Sequence, residues 1–202
     1  MPTNALDHLS PAFPGRAAWG TAARLRAWQV AALDRYRELG QQDFLAVATP
    51  GAGKTTFALR VATGLLADRV IEQVIVVTPT EHLKVQWADA AAKVGLHLDP
   101  GLGGSKRGRT RQYQGQAVTY AGVAAATHAY ESRTVNAKTL VIFDEVHHAG
   151  DALSWGEASA QAFALATRRL ALTGTPFRTD ANPIPFVRYV EEADGTRKSV
   201  AD

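Results

Sequence analysis

The sequence predicts an α/β domain with a mostly parallel sheet and helices on both faces, and three observations carry that prediction. Short apolar runs recur along the chain, alanine-rich helical stretches separate most of them, and several runs end directly in turns rich in glycine or carboxylates. Alternating strand and helix signals give parallel sheets covered on both sides. In such sheets chemistry collects in the loops after the carboxyl ends of the strands.

The elements follow in order. Residues 1–23 open polar and proline-punctuated and read as a leader. A helical pattern runs from Arg24 to Leu39, with Gly40 as its stop. Asp43 to Ala48 (DFLAVA) reads as a buried strand, because an apolar run bounded by polar, Gly or Pro residues is what a parallel-sheet interior produces. Further strands are expected at Val74–Val77, Ala117–Tyr120, Leu140–Phe143 and Leu170–Leu172. Near the end, FVRYVE before Asp194-Gly195 reads as the first arm of a hairpin.

Composition bounds the class. The 202 residues are 46% hydrophobic and 20% charged, the balance of a globular chain that buries a core. The apolar runs are far shorter than the roughly 18 residues of a spanning helix, so no membrane segment is expected. With no cysteine, disulfides, thiol catalysis and cysteine-ligated metal are excluded, and a cytoplasmic setting is the expectation. The net charge of +3 suits a polyanionic partner without requiring one. Lys106, Arg107, Arg109 and Arg111 concentrate positive charge in a glycine-rich stretch that reads equally well as a phosphate contact or a solvated loop.

Two motifs carry chemistry. Residues 48–56, ATPGAGKTT, lie between a strand and a helix. In the loop that Pro50 opens, backbone N–H groups at Gly51-Ala52-Gly53 and the start of the following helix can wrap phosphates, Lys54 supplies a charge for the outer ones, and the Thr55 hydroxyl, beside Thr56, can ligate Mg²⁺. A strict motif would begin with glycine, where this one has Ala48. Residues 140–148, LVIFDEVHH, end a strand in two carboxylates. Asp144 can hold Mg²⁺ and Glu145 can orient and deprotonate an attacking water. A zinc site at His147, His148 and Asp151 is rejected for want of further ligands at suitable spacing.

With both motifs in place, residues 24–178 resemble superfamily 2 helicases of the DExH kind, above all the restriction-enzyme motor subunits and the XPB-like repair helicases. LRAWQ (25–29) resembles the adenine-recognising Q motif, which implies that Gln29, aided by Arg26, reads the base. TPTEHLKVQW (78–87) and VTYAGVA (118–124) resemble the motifs that touch the nucleic-acid backbone, implying roles for Pro79, Thr80, Thr119 and Tyr120; Trp87 reads better as helix packing. LTGTPFR (172–178) resembles motif III, with Thr-Gly-Thr in place of the usual Ser/Thr-Ala-Thr; with His147, its Thr173 and Thr175 would couple the ATP state to the nucleic-acid surface.

The resemblance implies the first RecA-like P-loop NTPase domain of an ATPase that uses ATP and Mg²⁺ and grips DNA, with RNA left open, through its backbone. It also implies a second RecA-like domain, in cis or in trans, that supplies an arginine finger. Residues 179–202 are too few for that domain and are expected to form a connection, so the chain reads as a fragment with weak turnover. An arginine finger from Arg168, Arg169 or Arg178 would be the exception. The competing function is a module that binds nucleic acid or protein under ATP control without motor activity; a small-molecule phosphotransferase would have no use for the Q motif or motif III.

Overall fold

The structure is a computed structural model and describes residues 24–101, 113–146, 153–174, 186, 189–191 and 197–199. Helix α1 spans Ala27–Leu39 and closes at Gly40, whose left-handed φ of 55° places its N–H on the Tyr36 carbonyl. Strand β1 (Asp43–Val47) leads through residues 48–53 into α2 (Lys54–Ala67). Then come β2 (Gln73–Thr78), α3 (Glu81–Ala92), β3 (Leu98–Asp99), β4 (Gly115–Thr119), α4 (Tyr120–Ala125) and α5 (Thr127–Asn136). After β5 (Thr139–Phe143), α6 (Leu153–Ala162) and β6 (Arg168–Thr173), strands β7 (Tyr189–Glu191) and β8 (Arg197–Ser199) pair antiparallel. The hairpin expected near the end therefore has both arms.

The main sheet is parallel throughout, in the order β1-β6-β5-β2-β4-β3. Side-chain alternation along each strand serves two cores. Phe44, Ala46, Val74, Val76, Leu140, Ile142, Leu170 and Leu172 pack with residues of α1, α2 and α3. Leu45, Ile75, Val77, Val118, Val141, Phe143 and Ala171 pack with residues of α4, α5 and α6. Burial on both faces is why these strands read as unbroken apolar runs; each fully buried aliphatic or Phe side chain contributes about 1.5–3 kcal/mol.

Two expectations change. The strand expected to reach Tyr120 stops at Thr119, whose hydroxyl accepts from the Gly122 N–H and caps α4, so Tyr120 is already helical. Strand β3 was not foreseen, since two residues are too few to make a periodic signal. Among the described residues, no helix is long and apolar enough to cross a membrane.

Candidate nucleotide and catalytic site

Because the strands are parallel, the loops after β1, β6 and β5 are neighbours on one edge, and those after β2 and β4 continue the same edge. Register fixes this closely: Val47 lies beside Thr173, Ala171 beside Phe143, Phe143 beside Val77 and Thr78 beside Thr119.

The loop after β1 is held from outside by the start of α1. Arg26 Nη1 donates to the Gly51 carbonyl at 3.1 Å, Trp28 Nε1 to the Ala52 carbonyl at 3.1 Å, and Gln29 Nε2 to the Gly53 carbonyl at 2.8 Å. Three successive carbonyls are thereby engaged by the start of α1. The Gln29 Oε1 also accepts from the Arg26 N–H at 2.8 Å, and Gln29 is buried. Gly53 has a φ of 92°, and a Cβ there would stand 2.6 Å from Gln29 Nε2. No side chain other than hydrogen meets both conditions without strain. Arg26 and Gln29, which the resemblance assigns to base recognition, both also hold the loop, and Trp28 joins them without having been foreseen.

Lys54 opens α2 and is 8% exposed. Its Nζ donates to the Ala48 carbonyl at 3.1 Å and pairs with Glu145 Oε1 at 2.9 Å. The other carboxylate oxygen of Glu145 accepts from the Gly174 N–H at 3.2 Å. Loops after three adjacent strands thus converge on one carboxylate. Glu145 takes a left-handed φ of 45°, uncommon for a residue with a side chain and a form of strain that clusters at functional sites. The glycine of Thr-Gly-Thr lies close to this pair: a Cβ on Gly174 would be 3.3 Å from Lys54 Nζ and 3.3 Å from Pro50.

Asp144, at the tip of β5, is buried, and its Oδ2 accepts from the Trp87 indole at 2.7 Å. Burial pushes its carboxyl above the ordinary carboxylate value; the Trp87 bond opposes this, the Glu145 charge adds to it, and Lys54 opposes it. Trp87 does pack in the core as expected, yet its polar edge also reaches the acidic motif. The available signal was its place two turns beyond Thr80 on one helix.

Along the rest of the edge, Thr80 caps α3 by accepting from the Leu83 N–H at 3.3 Å, Pro79 precedes it, and Thr119 caps α4. Tyr120 requires correction: its side chain has no exposed surface, and its hydroxyl donates to the Asp144 carbonyl at 3.1 Å, so it supports the acidic motif from within. Thr173 is buried at the end of β6. His147, His148, Thr175, Arg178 and the basic stretch from Lys106 to Arg111 lie outside the described residues. An arginine finger from Arg169 is overturned. That residue is the second of β6, at the end of the strand opposite the site; it forks onto Asp43 and donates to the Phe163 and Ala164 carbonyls. Arg168 precedes it at the same end.

Comparison with known proteins gives the family and supports the fold. Residues 22–178 match the family described as the type III restriction enzyme, res subunit. An uncharacterized protein of Mycobacterium tuberculosis is 58% identical over 178 residues, covering 88% of this chain and 30% of its own length. An uncharacterized protein of Mycobacterium leprae is 57% identical with the same coverage. The chain therefore spans 30% of the length of these curated relatives. The Sulfolobus solfataricus SWI2/SNF2 ATPase core in complex with dsDNA has a TM-score of 0.62 at 21% identity, over 78% of this chain and 33% of that one. The UvsW helicase from bacteriophage T4 has a TM-score of 0.59 at 17% identity, over 79% and 55%. The Pyrococcus furiosus Hef helicase domain has a TM-score of 0.55 at 22% identity, over 76% and 33%. At these identities the likeness is one of fold, the RecA-like domain of helicases. On the match across residues 22–178, the chain belongs to the type III restriction enzyme res-subunit family, whose domains are helicase-like ATPase motors.

Proposed function

We propose that residues 24–178 form the ATP-binding domain of a nucleic-acid-dependent ATPase, a helicase or translocase, with residues 1–23 as a leader and 179–202 as a connection. The observation that carries this reading is the convergence of Lys54, Glu145 and the Gly174 N–H at contact distance. Backbone N–H groups of residues 51–53 and the start of α2 would take the phosphates, and Lys54 the outer charge. Thr55 and Asp144 would hold Mg²⁺; a hydroxyl and a carboxylate are the hard oxygen donors such an ion prefers, so the residues fit the group. The ion, when bound, would neutralise charge on the phosphates. Glu145 would leave Lys54 to accept a proton from the attacking water.

The ends of β2 and β4, at Pro79, Thr80 and Thr119, would meet the nucleic-acid backbone through helix starts, a sequence-independent contact. The duplex named in the Sulfolobus complex supports DNA over RNA as the partner. A second RecA-like domain, in cis or in trans, would supply an arginine to the γ-phosphate, worth ~10³ to 10⁵ in turnover. The test is ATP affinity and turnover with and without single- and double-stranded DNA and RNA. Binding with turnover stimulated by one nucleic acid names the substrate. Binding with no turnover under any condition, also in a relative of full length, favours a binding module without motor activity.

A further inference from the structure

Asp144 is buried, and one of its carboxylate oxygens is engaged by a side chain from another element, the indole N–H of Trp87, at 2.7 Å. An indole N–H can only donate, so the contact favours the ionised carboxylate and fixes which oxygen faces inward. Trp87 is itself 2% exposed and wedged in the core formed by α2, α3 and the sheet, so its ring has little freedom to turn away. The helix that carries it begins at the Thr80 cap, on the strand-end surface. Tyr120, the first residue of α4, braces the same residue by donating to its backbone carbonyl.

We propose that Trp87 is a positioning residue for the metal-binding carboxylate of Asp144, tying the placement of α3 to the readiness of the site for Mg²⁺. This rests on the nucleotide reading above. The indole holds one oxygen and keeps the carboxylate from rotating, so that the group meets the ion in one orientation. Losing the donor should therefore weaken Mg²⁺-dependent binding and leave metal-free nucleotide binding, which depends on Lys54 and the backbone of residues 51–53, largely alone.

The experiment compares wild type and Trp87→Phe by titrating Mg²⁺ at fixed ATP and, separately, titrating ATP in the presence of a chelator. The expected result is a half-saturating Mg²⁺ concentration raised about tenfold, the scale of one hydrogen bond to a charged group, with metal-free ATP affinity unchanged. An unmoved Mg²⁺ midpoint, or an equal loss in both titrations, overturns the proposal. Wild-type protein that binds no ATP in either titration overturns the nucleotide reading instead. A second measurement needs no nucleotide and no Trp87 variant. Among the indole N–H resonances of the four tryptophans, one should move in Asp144→Asn, and four unmoved resonances overturn the hydrogen bond on which the proposal stands.

Discussion

At Lys54 one ammonium group bridges the loop after β1 and the carboxylate after β5. Its removal takes away the charge proposed to meet the outer phosphates, so Lys54→Ala should abolish nucleotide binding in a calorimetric titration. Glu145→Gln should keep affinity and lower any turnover by ~10² to 10⁴, the usual span for a general base. Equal loss of binding in both variants would contradict the division of labour. Gly53→Ala should also lose binding, because the methyl group would displace Gln29 and strain a backbone that has a φ of 92°. Lys54, Glu145 and Asp144 were legible in the sequence because their chemistry depends on residue type and place at a strand end. The roles of Arg26, Trp28 and Trp87 were not, since each is a hydrogen bond across a long sequence separation. Tyr120 was misread for a related reason: the motif shows that a helix starts there, and only packing shows that the ring turns inward.

The elements divide between the two ends of the sheet. At the end away from the site, Arg169 forks onto Asp43 and ties β6 to β1. Asp43 is 35% exposed, so removing it should cost less than the ~3–5 kcal/mol of a fully buried pair. Asp43→Ala should lower the denaturation midpoint and leave ATP affinity per folded molecule unchanged; a loss of affinity would mean the two ends are coupled. On α1, Tyr36 packs edge-on against Phe44, and its buried hydroxyl has no partner. Burial raises its pKa from 10.0 to about 12. The neutral ring is thus favoured in the fold, and its contribution is complete below pH 10 and lost as pH rises through about 12. Tyr36→Phe should be neutral to ~1 kcal/mol more stable at neutral pH and should reduce that alkaline loss, as read by denaturant midpoints across pH. The strands were legible because parallel burial makes them uniformly apolar. Strand β3 and the end of β4 were not, being set by sheet pairing and by the Thr119 cap.

For the whole molecule, the strand order places the candidate nucleotide residues after β1, β6 and β5 and the candidate nucleic-acid residues at the ends of β2 and β4, with β5 beside β2. Parallel topology alone makes this one continuous edge, which explains why motifs read at strand ends lie next to one another in the fold. The basic stretch from Lys106 to Arg111 lies outside the described residues, and charge replacement tests its role. Replacing Arg107, Arg109 and Arg111 together should reduce the salt dependence of nucleic-acid binding by about 0.9 in log–log slope for each phosphate that is no longer neutralised, and an unchanged slope would make the stretch a solvated loop. The most direct measurement is ATP·Mg²⁺ binding by the wild-type chain and by Lys54→Ala, each with and without duplex DNA. The arrangement around Lys54 and Glu145 predicts saturable binding that the substitution abolishes. Absence of binding in the wild type, or binding that survives loss of Lys54, would contradict it.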